Sequence, residues 1–189
     1  MDKVAEYFDQ IASNWDNACH HGEVLDRLIS SLAINEDDKV LDVACGTGVI
    51  SQKLYEKSKT EVDAIDISSE MIKIAKAKNL KGINFINADL YSFRNKKYDI
   101  IVIFNAYPHF LELDKFEDAL VSLLKPKGKV YIIHDCDREE LNSHHKAHAM
   151  QVSRMLQDIE TEASRFKNHF EILEAYEKPS EIKIELELK

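Results

Sequence analysis

A chain of 189 residues with 44% hydrophobic and 31% charged residues has the makeup of one folded domain, not of a disordered or fibrous chain. The formal charge of -9 opposes a nucleic-acid partner, because the lysines are dispersed and those of "KIAKAKNLKG" sit at the spacing of a solvated helix face. The longest apolar stretches, "YDIIVIFNAY" and "KVYIIH", fall well short of the ~20 residues of a membrane span, and "MDKVAEYFDQ" lacks a signal-peptide pattern, so no membrane contact and a cytoplasmic location are expected.

At the start of the chain, Val4, Tyr7, Phe8 and Ile11 predict one short amphipathic helix, and Val24, Leu25, Leu28, Ile29 and Leu32 a second. Residues 1–35 are therefore a candidate lid over the active edge of whatever follows. Cys19 in the connecting stretch, Cys45 and Cys136 are odd in number and without C-x-x-C spacing, which suits reduced thiols better than a disulfide framework or a zinc site.

Strands are predicted at 39–44, 61–67, 83–89, 98–105 and 129–135, most of them apolar almost throughout, as strands covered on both faces are. Helical periods alternate with them: Val49, Ile50 and Leu54; Met71, Ile72 and Ala75 after capping serines; and Phe116, Ala119, Leu120, Leu123 and Leu124. Such alternation predicts an α/β fold with a Rossmann-like parallel sheet and helices on both faces. A long helix is expected to carry Val152, Met155, Leu156, Ile159, Ala163 and Phe166 on one stripe. "FEILEAYE", "KPS" and "EIKIELELK" then read as an antiparallel hairpin at the sheet edge over 170–189, with one wet face. The whole is one domain with seven strands, six parallel and the last antiparallel.

The stretch "VLDVACGTGVI" spends two of the chain's five glycines on one turn. In an open parallel sheet ligands bind beyond the carboxyl ends of the strands, and Gly46 and Gly48 can adopt positive φ and admit a ligand close to the backbone. Asp66 ends the second strand, 18 residues after Gly48, where a carboxylate can accept both hydroxyls of a ribose. Asp89, at the end of the third strand, comes within reach of an adenine amino group, and Asp42 can either organise the turn or receive an ammonium group through water. Three acids at successive strand ends suit a partly cationic ligand. Ser51 occupies the place of the third glycine of G-x-G-x-x-G, and Asp42 would repel a pyrophosphate, so S-adenosylmethionine suits the site better than a dinucleotide.

The segments "YFDQIASNWD", "VLDVACGTG", "DAIDIS", "NADL", "YDIIVIFNAY" and "LLKPKGKVYI", in that order, resemble the class I S-adenosylmethionine-dependent methyltransferases, in particular the small-molecule branch of the ubiquinone and menaquinone enzymes. The resemblance implies that Asp42, Cys45 and Gly46 line the methionine part of the cofactor, with Asn105 beside it. It implies Asp66 and Ile67 at the ribose and adenosine, Ala88, Asp89 and Leu90 at the adenine, and Tyr7 and Trp15 closing over the whole. "KPKG" departs from the commoner "KPGG" of the family, at a turn.

Methyl transfer is an in-line displacement, so the protein supplies approach geometry, desolvation and, for some acceptors, a base. His109 and His134 are the candidate bases, at the ends of the fourth and fifth strands, although either could equally make ordinary hydrogen bonds there. His144, His145 and His148 lie three and four residues apart on a predicted helix and leave open whether two of them share a metal. The thiol of Cys45 is expected to be inert. Residues 136–150 form a modest substrate-side insertion, which favours a small-molecule substrate. The rival readings are a dinucleotide-dependent oxidoreductase and a non-catalytic S-adenosylmethionine-binding protein; nothing in the sequence sets the oligomeric state.

Overall fold

The computed structural model describes residues 2–18, 22–94 and 96–189; Cys19 lies outside them. In chain order the elements are α1 (Lys3–Ile11), α2 (Trp15–Ala18), α3 (Glu23–Ser31), β1 (Val40–Val43), α4 (Ser51–Ser58), β2 (Val62–Asp66), α5 (Ser69–Ala77) and β3 (Ile83–Asn87). There follow β4 (Tyr98–Phe104), α6 (Leu113–Leu123), β5 (Leu124–His134), α7 (Arg138–His148), α8 (Ile159–Ser164), β6 (Phe170–Lys178) and β7 (Glu181–Leu188).

The strands form one seven-stranded sheet in the order β3-β2-β1-β4-β5-β7-β6. Strands β1 to β5 pair in parallel, and β7 runs antiparallel to both β5 and β6, so six strands share one direction, as expected. The chain builds outward from β1 to β3, returns, and continues from β4, which leaves a crevice at the carboxyl ends of β1 and β4 where the order reverses.

The apolar runs feed the two larger hydrophobic cores through the two-residue period of a strand, and Ala64, Ile72, Ala75 and Phe85 form a third, smaller one with Cys45. In β4, Ile101 and Ile103 face a core shared with Phe116, Leu120 and Leu123 of α6, while Ile100, Val102 and Phe104 face a core shared with Leu25, Leu28 and Ile29 of α3. Helix α3 is thus a packing helix of the second core. Among the described residues of the expected N-terminal cover, those that line the crevice fall between Asp2 and Trp15. Among the described residues no helix is long and apolar enough to cross a membrane.

Two expectations need correction. The stripe from Val152 to Phe166 does not come from one long helix: α7 ends at His148, and residues 149–158 run irregularly before Asp158 caps α8 through Thr161 N–H. Asn142 holds this stretch by pairing with both backbone groups of Leu156, at 2.8 and 2.9 Å, and Arg154 N–H donates to Pro108 O at 3.0 Å. Val152 and Leu156 are buried all the same, whereas Met155 is 39% exposed. Nor is the polar face of β7 wet. Lys183 is buried between Glu174 and Glu185, 2.8 and 2.9 Å away, and Glu181 is buried under Arg27 at 2.6 Å.

Candidate active site

Strand β1 leaves the sheet through a tight turn in which Ala44, Gly46 and Gly48 all take left-handed backbone, with φ of +56°, +52° and +86°. The two glycines serve different ends. Gly46 lines the crevice, and among the described residues a Cβ there would meet Trp15 Nε1 alone within 4 Å, at 3.6 Å. Gly48 packs inward, where a Cβ would fall 2.6 Å from the Phe85 ring of β3. The second glycine therefore lets β3 approach the turn, not a ligand as the sequence suggested.

Asp66, the last residue of β2, joins the loops after β1 and β2: its carboxylate accepts from Gly46 N–H and Ser68 N–H, each at 2.8 Å. Burial pushes it up to about 6, outweighing the two donors. Asp42 lies deeper, in β1, and accepts from Ser51 Oγ at 2.6 Å; burial raises it to about 7. The hydroxyl at the third-glycine position thus serves to hold this acid, which no local sequence signal announces. Burial, reinforced by the charges of Asp42 and Asp66, raises the Cys45 thiol well above its ordinary value and makes it unreactive.

Asp89 stands two residues beyond β3, and its carboxylate accepts from Tyr91 N–H at 3.0 Å. Asn105, with φ of +52°, directly follows β4 and exchanges two hydrogen bonds with Asp135, at 2.6 and 3.2 Å.

The cover over this floor is tied down by side chains that sequence reasoning passed over. Asp16 accepts from Thr47 Oγ1 of the turn at 2.5 Å and pairs with Lys78 at 2.8 Å. Asp9 accepts from Ser68 Oγ and Glu70 N–H at the start of α5, at 2.6 and 3.0 Å. Tyr7 donates to His148 O at 3.0 Å, and the rings of Tyr7, Phe8 and Trp15 pack edge to face. Acidic residues in the first two helices were the available signal.

His109 sits in the turn after β4 with Nδ1 3.1 Å from both Val152 O and Ser153 Oγ. A carbonyl oxygen can only accept, so Nδ1 carries the hydrogen and Nε2 keeps the lone pair. Burial pushes the ring down to about 4, so it is neutral near pH 7. His134 is different. Strand pairing continues through His134 opposite Ile182, which keeps the ring fully buried on the sheet face by Tyr107 and Leu156, and it is not among the residues that line the crevice. Neither of its ring nitrogens meets a hydrogen-bond partner among the described residues, and burial lowers it to about 3. As a candidate base it is set aside.

His144, His145 and His148 of α7 do line the crevice, but among the described residues no three histidine, cysteine or acidic side chains come together as a metal site. Every other expected residue lines one cavity of about 730 Å³: Tyr7, Trp15, Asp42, Cys45, Gly46, Asp66, Ile67, Ala88, Asp89, Leu90, Asn105 and His109. That volume falls within the range of small-molecule sites.

The ubiquinone biosynthesis O-methyltransferase of Rickettsia prowazekii is 29% identical over 141 residues, covering 67% of this chain and 56% of that protein. The malonyl-[acyl-carrier protein] O-methyltransferase 2 of Ilyobacter polytropus is 32% identical over 136 residues, covering 68% and 52%. The chain thus spans about half the length of the curated relatives it matches. In fold it is similar to DhpI, solved with S-adenosylhomocysteine, with a TM-score of 0.73 at 20% identity over 98% of this chain and 95% of that one. A family model described as a methyltransferase domain matches residues 34–181, and the chain belongs to that family.

Proposed function

We propose that this chain transfers a methyl group from S-adenosylmethionine to a small-molecule acceptor, releasing S-adenosylhomocysteine. The observation that carries the reading is the pair formed by Asp66 and Gly46: a buried carboxylate at the rim of the cavity, fixed by backbone donors, next to a residue with no side chain. Such a floor accepts hydroxyls and tolerates positive charge, and Asp42 beneath it opposes a pyrophosphate. The residues present therefore fit a cationic adenosine compound. When bound, that cofactor supplies an electrophilic methyl group on a sulfonium.

In this reading Asp66 and Ile67 hold the ribose, Ala88, Asp89 and Leu90 the adenine, and Asp42, Cys45 and Gly46 the methionine part, with Asn105 beside it. Tyr7 and Trp15 exclude water from above. His109, neutral and oriented by Val152 O, accepts a proton on Nε2. The names of the two relatives and the product seen with DhpI agree with methyl transfer. Two free cysteines among the described residues, Cys45 and Cys136, suit work in the reducing cytoplasm.

A thermal-shift comparison tests this against the oxidoreductase alternative. S-adenosylhomocysteine at about 100 times its Kd should add about 2.7 kcal/mol, which for a domain of this size raises Tm by about 5–10 °C, while NAD and NADP should leave it unchanged. Stabilisation by a nicotinamide dinucleotide alone would overturn the reading. Transfer of labelled methyl to any acceptor in a small-molecule extract would separate an enzyme from a binding protein.

A further inference from the structure

Beyond the glycine turn, the cavity wall is made of rings: Tyr7 and Phe8 of α1, His109 after β4, and His144, His145 and His148 of α7. Phe8 meets His109 edge-on at 4.9 Å, and His109 meets His145 at 5.0 Å. His145 is only 4% exposed, and its Nδ1 has no hydrogen-bond partner among the described residues. Burial holds both His109 and His145 at about 4, so each is a neutral acceptor or donor of hydrogen bonds. The charged residues of the lining are Asp2, Asp42, Asp66, Asp89 and Glu140; no described residue of the lining is a lysine or arginine. A carboxylate or phosphate on the acceptor would lose its hydration there with no lysine or arginine of the lining to receive it.

We propose, on the methyl-transfer reading of the cavity, that the acceptor has an apolar body, an uncharged nitrogen nucleophile bearing at least one hydrogen, and no anionic group. Neutral imidazoles offer lone pairs to an N–H, and the phenyl and phenol rings of the wall receive the apolar body. In the transfer the acceptor nitrogen's lone pair forms the new N–CH₃ bond while the S–CH₃ bond breaks, its electron pair staying on sulfur as a thioether. The methylated nitrogen is then positive and acidic, and hands its proton to His109 Nε2, from which it passes to solvent. A weak base suffices for that order of events. A hydroxyl acceptor would have to give up its proton as the bond forms, which asks for a stronger base or a cation to hold the oxyanion. A nitrogen acceptor sets this chain apart from the two relatives named for O-methylation.

Calorimetry on the protein saturated with S-adenosylhomocysteine tests this without turnover, using three probes that share one body: 1-naphthylamine, uncharged near neutral pH, 1-naphthol and 1-naphthoate. The amine is expected to bind, the naphthol no more tightly than the amine, and the naphthoate at least about tenfold more weakly, a difference of about 1.4 kcal/mol. Naphthoate binding as tightly as the amine, naphthol binding more tightly than it, or no binding of any probe to the saturated protein would each overturn the proposal. A folded protein that fails to bind S-adenosylhomocysteine would instead overturn the methyl-transfer reading on which it rests.

Discussion

Ser51 Oγ donates a 2.6 Å hydrogen bond to Asp42 Oδ2 in the buried floor of the cavity, so the position that would hold a third glycine anchors a carboxylate instead. Burial raises Asp42 from 3.8 to about 7, which makes its ionised form unfavourable by an amount on the order of a few kcal/mol. Between those two pH values the folded chain binds a proton that the unfolded chain releases, so this group adds stability as pH falls through the window. Asp42→Asn keeps the hydrogen bond from Ser51 and removes the charge. Urea unfolding at pH 8 is expected to show a gain of about 1–2 kcal/mol, with the added stability on acidification flattened. The same variant should lose affinity for cationic S-adenosylmethionine more than for S-adenosylhomocysteine. An unaltered pH profile would contradict the assigned burial cost.

The cover over the cavity is held at Asp16, bonded to Thr47 and Lys78, and at Asp9, bonded to Ser68 and Glu70. Hydrogen bonds to charged groups are each worth about 1.5–3 kcal/mol, less where solvent screens them, and Asp16 is half exposed. Asp16→Ala is expected to speed dissociation of S-adenosylhomocysteine about five- to thirtyfold in stopped-flow measurements while lowering the thermal midpoint of the ligand-free protein by no more than about 2–8 °C. Equal dissociation rates would mean that residues 2–18 do not retain the ligand.

Lys127 takes left-handed backbone, φ +63°, in the irregular start of β5, at the position where the family resemblance read from the sequence implies glycine. A side chain there costs about 1–2 kcal/mol, part of which glycine gives back through the entropy of the unfolded chain. The exposed Lys127–Glu187 pair, 3.3 Å apart, contributes little. Lys127→Gly should therefore stabilise the fold by about 0.5–1 kcal/mol in urea titrations without affecting ligand binding. A loss of stability would show that the turn is not strained.

Asp66 sets the expected pH dependence of binding. With burial raising the free carboxylate to about 6, and hydroxyl donors on a ligand favouring its ionised form, the bound state has the lower pKa. Protein below pH 6 must therefore release a proton to bind. The affinity for S-adenosylhomocysteine should be level above about pH 7 and fall by up to about tenfold per unit below 6. A level profile from pH 8 to 5 would remove Asp66 from the ligand.

Much of this is legible in the sequence alone. The runs at 98–105 and 129–135 could only be strands buried on both faces, and the turn at Gly46 with acids at successive strand ends pointed to a cradle for a cationic nucleoside. What escaped depends on contacts distant along the chain. The apolar spacing from Val152 to Phe166 is the same whether it lies on a helix or on a stretch pinned by Asn142, so periodicity misread it. His134 looked like a strand-end base because nothing local shows that β7 pairs alongside it. The bond from Ser51 to Asp42 and the role of Gly48 beneath Phe85 likewise join residues whose proximity only the folded sheet creates.

The most direct measurement is calorimetric titration of S-adenosylhomocysteine into the wild-type chain and into Asp66→Ala, with circular dichroism to establish that the variant is folded. Micromolar binding that weakens about a hundredfold, or about 2.8 kcal/mol, on loss of this carboxylate is the expected result. A folded Asp66→Ala protein that binds as tightly as the wild type would contradict it.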